Sequence, residues 1–194
     1  MTTIAIIPAG GKGLRSGSAT PKQYLKVHGR EVIVYTLQTF QKNKLIDRII
    51  ISAEPDYINH LIKLVKKYKL NKVDLIVEGG ITRQDSVYNA VLSSGANAKD
   101  LLVVHDAARA LLPEAVLSNA ILTAKKKGNA LVCIKAKDTL IKGKSAVTEY
   151  LNRDEFYYVQ TPQIFKYRDL QSALGKAHSE QFFGTDESML VKRT

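Results

Sequence analysis

Cations set beside glycines near the N-terminus are the first residues whose types and spacing suggest chemistry. Ala9-Gly10-Gly11-Lys12-Gly13 is followed by Arg15 and then, after Pro21, by Lys22. Glycine lets a backbone approach a ligand closely, because it lacks a Cβ and tolerates positive φ. Successive N–H groups in such a loop can converge on an anion, and Arg15 and Lys22 would add full positive charge beside it. The combination suggests a triphosphate site. Two familiar phosphate motifs do not fit it. G-x-G-x-x-G accommodates Gly11 and Gly13 but then meets Ser16, and the P-loop pattern ending in Gly143-Lys144-Ser145 has Asp138 where its first glycine belongs. A tight surface turn with solvated cations is the plainer alternative.

Two further clusters carry chemistry. Gly79-Gly80 precedes Thr82-Arg83-Gln84-Asp85-Ser86, in which Thr82 and Asp85 have capping-box spacing. Arg83 and Ser86 on the first helical turn can present donors to a planar base; an ordinary helix start is the alternative. His105-Asp106-Ala107-Ala108-Arg109 follows an apolar run. Asp106 there can hold Mg²⁺ or a ligand hydroxyl, and Arg109 can reach phosphate with a fork of donors. His105 is expected to be a structural donor, and a simple Asp106–Arg109 surface pair is the plainer account of the rest. Lys137-Asp138-Thr139, Asn152-Arg153 and Gln160-Thr161-Pro162-Gln163 are rich in hydrogen-bonding groups, for which turns would account.

The elements that must position these residues alternate between β-rich apolar runs and helical patterns, the signature of a parallel sheet built from βαβ units. Strands are expected at Ile4 to Ile7, Arg48 to Ser52, Val73 to Val77, Leu101 to Val104 and Ala130 to Ile134. The helix after the first strand is expected from about Glu31 to Lys42, with Val32, Tyr35, Thr36 and Thr39 on one face. The next should bury Ile58, Leu61, Ile62, Val65 and Tyr68. Pro113 suits a helix start and Gly128, after three lysines, its end. Residues 137 to about 155 read as a protruding β-arm, Tyr157 to Val159 as a returning strand, and Tyr167 to about Lys176 as a helix. A last helix opens at Thr185-Asp186-Glu187. The fold expected is a single-domain, Rossmann-like, doubly wound, mostly parallel sheet over residues 1–194. In such sheets ligands bind beyond the carboxyl ends of the strands, where the strand order reverses. The glycine loop, Gly79-Gly80 and His105-Asp106 all fall at such ends.

Bulk properties narrow the field. The chain of 194 residues is 45% hydrophobic and 24% charged, as soluble globular proteins are. A net charge of +11 favours acidic partners such as nucleotides and phosphorylated metabolites. Much of the excess lies in Lys63, Lys66, Lys67, Lys69, Lys72 and Lys125 to Lys127, at helix ends and outer faces, where solvation explains it. No basic stretch is interleaved with aromatics and there is no Trp, so a nucleic-acid-binding module without catalysis is the lesser reading. The single cysteine, Cys133, excludes an internal disulfide and a cysteine-based zinc site, and its apolar run implies a buried strand thiol. No run is long enough to span a bilayer, so no membrane role and a cytoplasmic location are expected.

Taken together, these stretches resemble the polyol-phosphate cytidylyltransferase family, and within it the members acting on 2-C-methyl-D-erythritol 4-phosphate in non-mevalonate isoprenoid synthesis. The resemblance rests on Pro8 to Arg15, Pro21-Lys22-Gln23-Tyr24-Leu25, Gly79-Gly80 with Arg83 and Ser86-Val87, and Val104 to Arg109. It continues through Asp138-Thr139, Arg153, Gln160-Thr161-Pro162-Gln163 with Phe165, and Thr185-Asp186-Glu187, in the family's order. It implies that a substrate phosphate attacks the α-phosphate of CTP and pyrophosphate leaves, with Mg²⁺ as cofactor. Arg15, Lys22 and Arg153 would be catalytic, the first two neutralising the transition state. Ala9, Gly10, Gly11 and Gly13 would cradle the triphosphate. Gly80, Arg83, Ser86 and Ala107 would hold cytosine and ribose, and Arg109 the nucleotide side. Asp106 would contact the polyol or the metal, and Thr139, Arg153 and Thr161 the polyol phosphate. The arm would cross to a second subunit, giving a homodimer. Ribitol 5-phosphate or another polyol phosphate is the alternative acceptor. Ala110 replaces a usual proline, and Ile81 and Thr82 replace residues that are commonly polar or acidic. The family's last strand, with an Asn-Ile-Lys motif, is expected to be missing after Thr194.

Overall fold

A computed structural model describes residues 1–10 and 20–194 of the chain. Gly11, Gly13 and Arg15 lie outside the described residues. In chain order the elements are β1 (Thr3–Pro8), a 3-10 turn over Lys22–Tyr24, β2 (Lys26–Val27), β3 (Arg30–Glu31), α1 (Val32–Lys42), β4 (Arg48–Ala53), α2 (Pro55–Lys67), β5 (Val73–Glu78) and α3 (Arg83–Ser93). There follow β6 (Leu101–Val104), α4 (Glu114–Lys127), β7 (Ala130–Lys135), β8 (Leu140–Gly143), β9 (Val147–Leu151), a 3-10 turn over Arg153–Glu155, β10 (Tyr157–Lys166), α5 (Tyr167–Ser179) and α6 (Glu187–Arg193).

One six-stranded sheet, ordered β5-β4-β1-β6-β10-β7, carries the fold. β1 pairs in parallel with β4 and β6, and β4 with β5, whereas β10 runs antiparallel between β6 and β7. The order reverses at β1, so the crevice between the carboxyl ends of β1 and β6 is the switch point. β1 is an unbroken apolar run because both its faces are covered. Ala5 and Ile7 join one core with residues of α1, α2 and α4, while Ile4 and Ile6 join the other with α3, α5 and α6. The doubly wound expectation therefore holds.

Four details differ from the sequence reading. α1 buries Ile33, Val34, Leu37 and Phe40, with Thr36, rather than a face through Val32, Tyr35 and Thr39. In α2, Leu64 is buried and Ile62 faces outward. Cys133 is exposed, not buried, because β7 is an edge strand whose outer half is uncovered. Gln160-Thr161-Pro162-Gln163 is not a turn. It lies inside the ten-residue β10, where the register with β7 shifts between Val159 and Gln163 and the Thr161–Pro162 bond is cis. Such an irregularity is where an interior strand tolerates proline. The arm at 137–155 is a hairpin of β8 and β9 closed by the second 3-10 turn, with nearly all its side chains exposed.

Candidate active site

The carboxyl ends of β1, β5 and β6 form one edge, and local hydrogen bonds hold it. At the end of β1, the Ala9 N–H donates to the Ser52 carbonyl (2.7 Å) and the Ala9 carbonyl accepts from Gln23 Nε2 (2.6 Å). Gln23 is buried in the 3-10 turn, whose Tyr24 ring stacks on Tyr57 with centroids 4.0 Å apart, so Lys22 stands exposed on a turn tied to Ala9 at the end of β1. Ala107, after β6, is drawn to the same place: its N–H donates to the Pro8 carbonyl (3.4 Å) and its carbonyl accepts from Thr36 Oγ1 (2.8 Å).

At the end of β5 the capping box is present. Thr82 Oγ1 accepts from the Asp85 N–H (3.1 Å) and Asp85 Oδ2 accepts from the Thr82 N–H (3.0 Å). The Ser86 hydroxyl accepts from the Gly80 N–H (3.0 Å) and donates to the Thr82 carbonyl (2.9 Å). A Cβ on Gly10 or Gly79 would sit 3.1 or 3.0 Å from that hydroxyl, and one on Gly80 would meet Asp85 Cβ at 2.2 Å. Gly80 is thus required by the close approach of α3, and Gly10 and Gly79 leave room for the Ser86 hydroxyl at the ends of β1 and β5. Ser86 is buried, and it secures the loop with the hydroxyl expected to face a base.

Asp106 is the centre of an ionic chain. Its Oδ1 accepts from Arg83 Nε (2.9 Å) and its Oδ2 from Arg109 Nε (3.0 Å). The other end of Arg83 grips Glu187, with Nη1 donating to Oε1 (2.6 Å) and Nη2 to Oε2 (3.1 Å). Arg109 Nη1 also donates to the Gln160 side-chain oxygen. Burial opposes charge on Asp106, but Arg83 and Arg109 more than offset it and hold its carboxyl below the usual range. Burial likewise works against Arg83, yet Glu187 and Asp106 push its pKa above the ordinary arginine value. Two arginines and two carboxylates therefore balance.

His105 fixes the loop from beneath. Its Nε2 lies 3.1 Å from the Arg109 carbonyl, which can only accept, so Nε2 carries the proton. Nδ1 then accepts from the Thr161 hydroxyl (2.9 Å), whose oxygen accepts from the Asp106 N–H (3.4 Å). Burial pushes the imidazole pKa down to about 4, against the opposing hydrogen bonds. His105 is the structural donor anticipated, and Thr161, 8% exposed, turns its hydroxyl to His105.

The structure thus brings together Ala9, Gly10, Gly80, Arg83, Ser86, Asp106, Ala107, Arg109 and Thr161. Thr139 and Arg153 are exposed on the arm, where Arg153 Nη1 donates to the Lys137 carbonyl (2.7 Å). A direct Mg²⁺ seat on Asp106 fits poorly, because both oxygens already face guanidinium groups and no cluster of three potential ligands occurs among the described residues. Gln23, Thr36, Gln163 and Glu187 carry no site role in the sequence. Thr36 stood there only as part of a helix face and the others only within quoted stretches, since each acts on a partner distant along the chain.

The family model for 2-C-methyl-D-erythritol 4-phosphate cytidylyltransferase matches residues 3–194. The cytidylyltransferase of that name from Geobacter metallireducens is 36% identical, covering 100% of this chain and 85% of its own length. Its Clostridium acetobutylicum counterpart is 37% identical, covering 97% and 82%. Among solved structures, the 4-diphosphocytidyl-2C-methyl-D-erythritol synthase of Anaerococcus prevotii superposes with a TM-score of 0.84 at 29% identity, covering 98% of this chain and 81% of that one. The Francisella tularensis cytidylyltransferase gives 0.80 at 27%, covering 100% and 86%. A match of this extent, on a chain whose switch point carries the expected residues, places it by descent: this chain belongs to the 2-C-methyl-D-erythritol 4-phosphate cytidylyltransferase (IspD) family.

Proposed function

We propose that the chain transfers CMP from CTP to 2-C-methyl-D-erythritol 4-phosphate and releases pyrophosphate, a step in isoprenoid precursor synthesis. The observation that carries this reading is the convergence of Ala9-Gly10, Gly79-Gly80 and Asp106-Ala107 at the switch point, in a member of this family. A phosphate oxygen of the polyol forms the new bond to the α-phosphorus as the bond to the β-phosphate breaks. Such transfer depends on positioning and charge stabilisation.

Arg15 and Lys22 neutralise the crowded phosphates, and the backbone of Ala9, Gly10, Gly11 and Gly13 cradles them. Gly80, Arg83, Ser86 and Ala107 bound the cytidine end, while Arg109 lies on the nucleotide side. Asp106 keeps a lone pair on each oxygen for a polyol hydroxyl, and its depressed pKa keeps it an acceptor. Thr139 and Arg153 bind the polyol phosphate, whereas Thr161, expected to join them, spends its hydroxyl on His105 and holds the Asp106 backbone instead. Mg²⁺ bound with CTP would supply charge neutralisation on the triphosphate, and Asp106, whose two oxygens face Arg83 and Arg109, would not be its seat.

The arm supports a homodimer. Ile141 and Tyr150, cross-strand partners in the hairpin, together with Val147 and with Tyr157 to Val159 on β10, are all at least 41% exposed, and exposed apolar side chains grouped in this way suit a protein–protein contact. Thr139 and Arg153 would then serve the partner's site. We also assign the chain to the cytoplasm, with no nucleic-acid or membrane partner. Among the described residues no helix is long and apolar enough to cross a membrane. Pyrophosphate release measured with CTP and either methylerythritol 4-phosphate or ribitol 5-phosphate tests the reading. Turnover with the former is expected, and turnover with ribitol 5-phosphate alone refutes it.

A further inference from the structure

We infer that Glu187 is a positioning residue for nucleotide binding: from α6 it fixes the Arg83 guanidinium beside Asp106 and so sets the affinity for the cytidine end of CTP. This rests on the proposed cytidine site. At 1% exposed, Glu187 is the most deeply buried carboxylate among the described residues, and its hydrogen bonds run to Arg83, 104 positions away. A buried ion pair is a weak device for stability, since apolar residues of similar volume often serve as well. Its geometry here serves another end.

Glu187 occupies the end-on edge of the guanidinium, through Nη1 and Nη2, and leaves Nε for Asp106. Three of the five N–H groups are then spent and two remain for a ligand. With the end-on edge freed, the guanidinium can rotate and take both Asp106 oxygens as a bidentate pair, the preferred fork geometry. That arrangement would consume the lone pairs and donors the site must offer.

The surroundings hold Glu187 to this task. Asp186 caps α6 through the Met189 N–H (2.9 Å) and accepts from Gln163 Nε2 (3.1 Å), while Gln163 Oε1 accepts from the Ser188 N–H (2.9 Å). Gln163 pairs in register with Val104, immediately before His105-Asp106. From the other side Gln84, next to Arg83, donates to the Phe182 carbonyl (3.0 Å) and accepts from the Gly184 N–H (3.0 Å). The first turn of α3, the end of β6 and the start of α6 are thus tied into one unit.

The test compares wild type, Glu187→Gln, Arg83→Ala and the double variant by calorimetric CTP binding, steady-state kinetics and thermal melting. Glu187→Gln keeps the side chain's shape but presents an amide N–H to a guanidinium N–H. It should weaken CTP about 10- to 100-fold, the scale of a lost charge-assisted bond, and raise KM for the polyol phosphate as well, since the rotated guanidinium takes Asp106 lone pairs that a polyol hydroxyl would use. If Glu187 acts through Arg83, the double variant should bind CTP no more weakly than Arg83→Ala does. CTP affinity within twofold of wild type in Glu187→Gln, or losses that multiply in the double variant, would overturn the inference. Turnover by wild type reports separately on the proposed reaction. If wild type turns over and Glu187→Gln binds CTP normally, the positioning role fails and the reaction stands. If wild type binds CTP without turnover and Glu187→Gln loses it, the reaction fails and the positioning role stands.

Discussion

Lowering the pH from about 7.5 to 5 should destabilise this protein through one buried side chain, His105. An imidazole has an ordinary pKa of 6.5, and burial pushes that of His105 down to about 4. The unfolded chain therefore binds a proton that the folded chain refuses between those values. Stability rises with pH across that window: the contribution is complete above about 6.5 and is lost as pH falls toward 4. The full linkage is worth ~3 kcal/mol, of which ~2 kcal/mol is forfeited by pH 5. For a chain of this length that corresponds to a fall in melting temperature of ~4–8 °C. Urea unfolding followed by circular dichroism at half-unit pH steps measures it. His105→Gln, whose amide offers a donor and an acceptor but cannot titrate, is expected to be less stable at neutral pH because it leaves Thr161 or the Arg109 carbonyl poorly paired. Its stability should also fall less steeply between pH 7.5 and 5. Equal slopes in wild type and variant would refute the reasoning, since the titrating group would then lie elsewhere.

Arg15→Ala and Lys22→Ala should each lower kcat on the order of 10²-fold while leaving KM for CTP nearly unchanged, as loss of transition-state stabilisation requires; an unaltered kcat removes the residue from catalysis. Arg153→Ala should raise KM for the polyol phosphate and spare that for CTP. Mixing Arg153→Ala with Lys22→Ala subunits should restore part of the lost turnover if the arm completes the partner's site, and unchanged turnover speaks against that arrangement. Gly80→Ala should cost ~1–3 kcal/mol in urea unfolding, because its Cβ would overlap Asp85 at 2.2 Å; a wild-type midpoint would show that the α3 start yields freely.

Much of the architecture was legible along the chain because it depends on neighbours. The continuous apolar run at Ile4 to Ile7 demanded a strand covered on both sides. Thr82 and Asp85 announced the start of α3, and Gly128, at φ 98°, did end α4. The site was legible as stretches: Gly79-Gly80 and Asp106 to Arg109 fall at strand ends and meet at one edge. Less readable was anything set by pairing at a distance. Cys133 sits in a run that looks like a core strand, and only the place of β7 at the sheet edge exposes it. The insertion of β10 between β6 and β7 turned an apparent turn at Gln160 to Gln163 into the segment that delivers Thr161 to His105 and Gln163 to α6.

Local composition decided where this chain would be strand, helix or glycine-opened loop, since backbone preference and hydrophobic period act over a few residues. Which polar groups would spend their hydrogen bonds on one another was left to the folded molecule. Ser86 closes on Gly80, Thr161 on His105 and Glu187 on Arg83. Those choices follow from burial, which forces each polar atom to find a partner among whatever the sheet order brings within reach.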